Sequence, residues 1–475
     1  MAKKFSQTFW VANSVELLER LAYYAVFVAL TIYLSNVWGF SDGEAGIISG
    51  VFSALLYLLP TFAGAYADKI GFRSSIILAF SLLTVGYFGL SIVPTMLESS
   101  GLVNYGYGNG NDSIFSSFLV EKGRVEYNTQ TVFNGLENSM LQWTIVPILL
   151  LIVVGGAFIK AVISGTIARE TTSENRARGF SLFYMMINIG SFTGKAVVDP
   201  IRKALGDNGL VYLNYFSASM TFLALIAVYF FYKSVQTHGQ GKSFSELWKA
   251  LIKLCSNVRL FVLILIVSGF WIVYQQMYAT MPKYVLRMIG EGASPAWYAN
   301  INPLIVFIFV NIITSFMKKK QAIHSMVIGM LIIPVSALIM ASGNLIRSGT
   351  VPGLHPVAFM MIVGIALQAI AECFISPRYL EYFSLQSPKG EEGLYLGFSQ
   401  LHSFFSSLIA FISSGFLLEK FCPNPKLFTS QKAYEEATAN AHYIWYVFVG
   451  IGLISSIALL IYSKVTNSMD KKLSK

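Results

Sequence analysis

The chain has 475 residues, of which 55% are hydrophobic, 15% aromatic and only 12% charged. Soluble domains carry about 25% charged residues, so an ordinary soluble domain is excluded and a membrane protein is indicated. The formal net charge of +10 does not read as a nucleic-acid footprint, because the basic residues collect between apolar segments, mainly on one side.

Twelve apolar segments, each long enough to cross ~30 Å of hydrocarbon as a helix, follow at 9–36, 43–66, 72–95, 142–168, 177–200, 209–233, 258–282, 295–317, 322–345, 355–381, 393–418 and 441–464. The expected fold is therefore an all-α polytopic membrane protein. The first segment is too long for a signal peptide, lacks a small-residue cleavage site and carries three charges. With both termini in the cytoplasm, most of the 34 Lys and Arg fall in the inner loops, among them Lys69, Arg73, Arg176, Arg178 and Lys318 to Lys320. This is the positive-inside bias. It gives a multi-pass protein of a plasma or inner membrane, with the lipid bilayer and no nucleic acid as partner.

The first segment contains VELLERLAYYAVF at 15–27. On a helix, Glu16, Arg20, Tyr23, Tyr24 and Phe27 form one stripe, with Glu19 beside it. Either the glutamates lie near the inner interface and Arg20 snorkels, or the group is a buried site. Tyr57 follows in the second segment, and the loop after it reads GAYADKIGFRS, with Gly64, Asp68, Gly71 and Arg73. An acidic residue capping such a turn can latch onto a neighbouring helix end and an arginine. The outer loop 96–141 is rich in Asn, Gly, Ser and Tyr, has no strong helical period and holds a sequon at Asn111-Asp112-Ser113.

Lys160 lies nine residues from the inner end of the fourth segment at Arg169. At ~1.5 Å per residue it is over a third of the way into the bilayer, where an ammonium is expected to face the bundle interior and a carboxylate. The fifth segment carries Asn188 and, further out, Lys195, which either pairs with Asp199 one turn later or serves an anionic substrate. The polar stretch 234–257 separates two groups of six segments, a first half over 1–233 and a second over 258–475. Its SFSELWKALIKL part is apolar at Phe244, Leu247, Trp248, Leu251, Ile252 and Leu254, which suits an amphipathic linker helix on the inner surface.

In the second half Glu372, deep in the tenth segment, has the sign that complements Lys160. Trp271, Gln275, Gln276 and Asn302 add polar or aromatic surface, or serve as helix–helix glue. Cys255, Cys373 and Cys422 form neither a disulfide framework nor a metal-ligand spacing, and no Gly-rich phosphate loop follows a strand. No nucleophile–base pair stands out, so neither an enzyme nor a cofactor is expected.

ELLER followed by AYY resembles the signature of the proton-dependent oligopeptide transporter family, within the major facilitator superfamily. FSLFYMMINIGSF, GGAFIK, WYANINPLIVF and AECFISPRYLE are similar to that family's motifs on helices five, four, eight and ten. GAYADKIGFRS has the superfamily's loop spacing. The resemblance implies a twelve-helix major facilitator fold in two six-helix halves, working as a monomer without a cofactor, with protons as the coupling ion. It implies that Glu16, Glu19, Arg20 and Lys160 form the proton-coupling cluster and that Arg20 and Lys160 meet a substrate carboxylate. It further implies that Glu372, Asn302 and Asn188 hold the substrate's amino group, and that Tyr23, Tyr24, Tyr57 and Trp271 line side-chain pockets.

Two positions depart from the family pattern. Phe27 stands where the family has a second arginine, and Gln275 where it has that arginine's glutamate partner. Losing both avoids an orphaned buried charge and also removes one cation from the pocket. The expected function is proton symport of di- and tripeptides by alternating access. The alternatives are proton-coupled transport of another small anionic or zwitterionic solute, and a non-transporting sensor on the same scaffold.

Overall fold

The computed structural model describes residues 5–102, 118–121, 124–127, 140–172, 175–205, 207–233, 244–346, 349, 353–387, 392–428 and 430–473. In chain order the helices are α1 Gln7–Phe27, α2 Leu30–Asn36, α3 Asp42–Leu58, α4 Pro60–Ile70, α5 Phe72–Ser99, α6 Ile145–Arg169, α7 Arg176–Ala196, α8 Val198–Leu205, α9 Asp207–Phe231 and α10 Phe244–Cys255. There follow α11 Val258–Tyr274, α12 Gln276–Ala279, α13 Met281–Ile289, α14 Pro295–Ala299, α15 Ile301–Met317, α16 Ala322–Ser342, α17 Pro356–Leu385, α18 Glu392–Ser399, α19 Leu401–Phe421, α20 Gln431–Thr438 and α21 Tyr443–Leu473. Between α5 and α6, Phe118–Glu121 pairs antiparallel with Arg124–Tyr127. The sequon at 111–113 and the first part of the linker, 234–243, lie outside the described residues.

Among the described residues nine helices are long and apolar enough to cross a membrane, and eleven if each of two bent pairs counts as one span. This is a multi-pass membrane protein. The segment expected at 177–200 is α7, where Asn188, Ser191, Thr193 and Lys195 dilute the apolar character. The bends fall between α1 and α2 (47°) and between α3 and α4 (48°). The second has a local cause, because Pro60 has no N–H to continue the ladder and its ring clashes with the preceding turn.

The chain forms two compact units, residues 1–41 with 55–248 and residues 42–54 with 249–475. The second unit thus includes the first turns of α3, which the sequence reading places in the first half. Close backbone packing explains it: a Cβ on Gly46 would stand 2.5 Å from the Phe411 carbonyl oxygen, and one on Gly415 2.4 Å from that of Asp42. Small residues let α3 and α19 touch backbone to backbone, the usual way helices associate in lipid.

Candidate functional site

In the first unit the helical stripe of α1 is buried. Arg20 Nε lies 3.0 Å from Glu16 Oε1 and 2.6 Å from Glu19 Oε2, and the three residues are 7%, 3% and 2% exposed. That burial excludes the snorkelling alternative. The Arg20 guanidinium also stands 5.6 Å from the Tyr23 ring centroid. Tyr23 makes an edge contact with Tyr24 at 5.1 Å and stacks on Phe27 at 5.0 Å.

Lys160 differs from expectation. Among the described residues it pairs with no carboxylate; its Nζ donates to the Leu56 carbonyl at 3.1 Å and sits 4.1 Å from the Tyr57 ring centroid. The cause is local. In an unbroken helix the Leu56 carbonyl would accept from the N–H four residues on, and that residue is Pro60, which has none. An orphaned carbonyl and a π face together stabilise an ammonium, while Arg20 occupies both glutamates. Two carboxylates and two cations of one unit therefore balance in charge without forming two separate pairs. Asn188, on α7, donates to the Tyr184 carbonyl of its own helix at 2.8 Å.

In the second unit the polar centre is Glu372 on α17. Asn302 Nδ2 donates to Glu372 Oε2 at 3.1 Å. The Tyr274 hydroxyl lies 2.9 Å from the same oxygen and 3.1 Å from Asn302 Oδ1. Trp271 packs edge-on against Tyr274 at 4.8 Å. Gln275 Nε2 reaches Ser407 Oγ at 3.4 Å. Gln276 is helix–helix glue: its Nε2 donates to the Ile272 carbonyl at 2.8 Å and the Ala410 carbonyl at 3.4 Å, and its Oε1 accepts from Thr280 at 2.5 Å.

The described residues contain no group of three or more His, Cys, Asp or Glu fit to hold a metal ion. Buried charges on membrane helices that satisfy one another and the backbone carbonyls of neighbouring helices mark a transport pathway. Residues 14–351 match the family described as the Major Facilitator Superfamily. The chain belongs to that superfamily. Within it, a stretch of 202 residues is 30% identical to dipeptide and tripeptide permease B of Photorhabdus asymbiotica, covering 42% of this chain and 32% of that protein. Dipeptide and tripeptide permease A of Erwinia pyrifoliae is 21% identical over 457 residues, covering 83% of this chain and 82% of its own. Among solved structures, the POT family transporter PepTSo superposes with a TM-score of 0.69 at 16% identity, over 98% of this chain and 99% of that one. A POT family transporter in complex with 5-aminolevulinic acid superposes with a TM-score of 0.65 at 17% identity, over 96% of each chain. The major facilitator fold expected from the sequence is thus the fold observed.

The superfamily's loop motif is placed as its chemistry suggests, with one change of partner. Gly71 has φ +85°, the left-handed turn that glycine permits. Asp68 Oδ1 pairs with Arg169 Nη2 at 3.1 Å, at the end of α6. Arg73 instead donates to the Tyr229 carbonyl at 2.7 Å. A Cβ on Gly64 would sit 3.3 Å from Ala161 Cβ, so that glycine keeps α4 close to α6. Beyond Asn188 in the chain, Asp199 pairs with Arg202 at 3.6 Å, and Lys195 Nζ stands 5.2 Å from the Tyr24 ring centroid.

Sequence reasoning missed three features of this superfamily member. Tyr274 was indistinct among the aromatics of FWIVYQQ. His402 stood among scattered histidines. The third is a buried cluster in the second unit, where Asp42 binds Lys283 at 2.6 Å and Arg287 at 2.7 Å. A usable signal existed for the last: Lys283 and Arg287 are four residues apart and share one helix face.

Proposed function

We propose that this chain is a proton-coupled symporter that imports di- and tripeptides by alternating access, as a monomer with both termini in the cytoplasm and no cofactor other than the coupling proton. The observation that carries this is the buried Arg20 shared by Glu16 and Glu19, with Lys160 in the same unit held on the Leu56 carbonyl. A substrate carboxylate that engages Arg20 and Lys160 competes with the glutamates for the guanidinium. A glutamate so released in a low-dielectric surround binds a proton, because burial disfavours its charged form. Loss of that proton on the inner side restores the Arg20 pairs and returns the site to its starting state. Glu372, aimed by Tyr274 and Asn302, takes the peptide's amino group, with Asn188 and Gln275 contributing polar contacts. The names of the Photorhabdus and Erwinia relatives, both dipeptide and tripeptide permeases, support the substrate class.

The test is uptake of labelled Ala-Ala into proteoliposomes with and without an inward proton gradient. Accumulation that requires the gradient upholds the reading, and none with folded protein ends it. A second reading, transport of another small zwitterion, is favoured by the uncharged Phe27 and Gln275. Phe27 stacks on Tyr23 and Gln275 engages Ser407, so neither offers a charge to a substrate. Here 5-aminolevulinic acid replaces the peptide as probe, since it is the ligand named for one structural neighbour.

A further inference from the structure

His402 is the second residue of α19 and is 4% exposed. Its Nδ1 lies 2.6 Å from the Ser399 carbonyl oxygen. A carbonyl can only accept, so Nδ1 carries the hydrogen. In the neutral ring Nε2 is then the acceptor, and the Ser403 hydroxyl stands 3.2 Å away to donate to it. The same Ser399 carbonyl receives the Tyr379 hydroxyl at 2.9 Å, and the Tyr379 ring packs on the imidazole at 4.9 Å. The His402 backbone carbonyl accepts from Ser268 Oγ of α11 at 3.3 Å. The ring is fixed by the turn that carries it, by α17 and by α11.

What this fixed ring touches is Trp271, with centroids 5.3 Å apart and planes tilted by 55°. The buried indole N–H of Trp271 finds no hydrogen-bond acceptor among the described residues. Ring contacts with Phe270, Tyr274 and His402 therefore hold the indole. Phe270 and Tyr274 belong to the same helix as Trp271, so among the described residues His402 is the ring contact that comes from another one. Trp271 in turn meets the Tyr274 ring edge-on at 4.8 Å, and the Tyr274 hydroxyl reaches Glu372.

We propose that His402 is a positioning residue for Glu372: it buttresses Trp271, Trp271 holds Tyr274, and the Tyr274 hydroxyl orients the carboxylate that receives the substrate's amino group. This rests on the amine role given to Glu372 above. Both ring nitrogens of His402 are engaged by Ser399 and Ser403 and its carbonyl by Ser268, so its effect falls on discrimination between free and blocked amines and not on turnover. The buttress is the ring itself, which the two hydrogen bonds only orient. A phenyl ring in its place should keep most of the effect, and alanine should lose it.

The experiment uses the full chain in proteoliposomes, as His402→Ala, His402→Phe and Glu372→Gln. Half-saturation is read by competition of Ala-Ala and of N-acetyl-Ala-Ala against labelled Ala-Ala counterflow. In parallel, Trp271 emission is taken as the difference spectrum against Trp271→Phe in each background. His402→Ala is expected to raise the Ala-Ala value about 3- to 10-fold, the scale of one aromatic contact. N-acetyl-Ala-Ala and maximal rate should stay within about twofold of the parent, the range of a silent change. Trp271 emission should shift in His402→Ala, and His402→Phe should restore both readouts. An unchanged Ala-Ala value with unchanged emission in His402→Ala overturns the proposal, as does equal weakening of both probes in the two His402 variants. If Glu372→Gln leaves the preference for free amines intact, it is the amine role of Glu372 that has failed, and emission alone then decides the buttress. If Glu372→Gln removes that preference while His402→Ala keeps it, only the positioning role falls.

Discussion

Asp42 begins α3 with Lys283 Nζ 2.6 Å from Oδ1, Arg287 Nη1 2.7 Å from Oδ2 and Arg287 Nη2 2.9 Å from Oδ1. Arg287 also donates to the Cys422 carbonyl at 2.6 Å, and the Tyr434 hydroxyl donates to the Arg287 carbonyl at 3.1 Å. One carboxylate thus ties α3, α13 and the segment after α19 within the second unit. At an effective dielectric of ~20, each charge contact near this distance has a gross Coulomb energy of roughly 6 kcal/mol. Desolvation of the three buried groups offsets most of that sum, and removing one partner of such a cluster typically costs about 3–5 kcal/mol. Asp42→Ala leaves two buried cations, of which Arg287 keeps its Cys422 carbonyl. The loss should therefore lie within that range. The triple variant Asp42→Ala, Lys283→Met, Arg287→Met leaves no orphaned charge and should unfold within about 2 kcal/mol of the parent. The equilibrium unfolding free energy in mixed micelles, read against denaturant, provides the assay. A single Asp42→Ala that costs less than about 1 kcal/mol, or a cycle additive to within ~0.5 kcal/mol, would refute the reasoning.

Glu19→Gln and Lys160→Ala are each expected to abolish gradient-driven accumulation of Ala-Ala while counterflow persists; uphill uptake in either variant removes that residue from proton coupling. Glu372→Gln should raise half-saturation for free-amine peptides about 10- to 100-fold, the worth of a hydrogen bond to a charged group, and leave N-acetylated peptides near the parent value. Pro60→Ala supplies the N–H that returns the Leu56 carbonyl to the helix and takes it from Lys160. The pH dependence of accumulation should shift with it, and a parental profile would show that the carbonyl does not hold the ammonium.

The membrane spans were legible in the sequence because a bilayer demands long apolar runs whose backbone groups are satisfied within each helix. The Glu16–Arg20 stripe was legible for the same kind of reason: a period of 3.6 residues brings i and i+4 together whatever surrounds them. Family motifs also identified Glu372 and Asn302, which meet at 3.1 Å. Partner choice between helices was a different matter. Lys160 was expected on a carboxylate and lies on the Leu56 carbonyl, because Pro60 in another helix left that oxygen without a donor. Asp42 finds Lys283 across 241 residues of sequence, Tyr274 of α11 reaches Glu372 of α17, and His402 of α19 meets Trp271. Helical periodicity shows which face of a segment is polar. Which face it meets depends on close backbone contacts such as that of Gly46 with Phe411, and among a dozen segments of similar hydropathy only packing makes that selection.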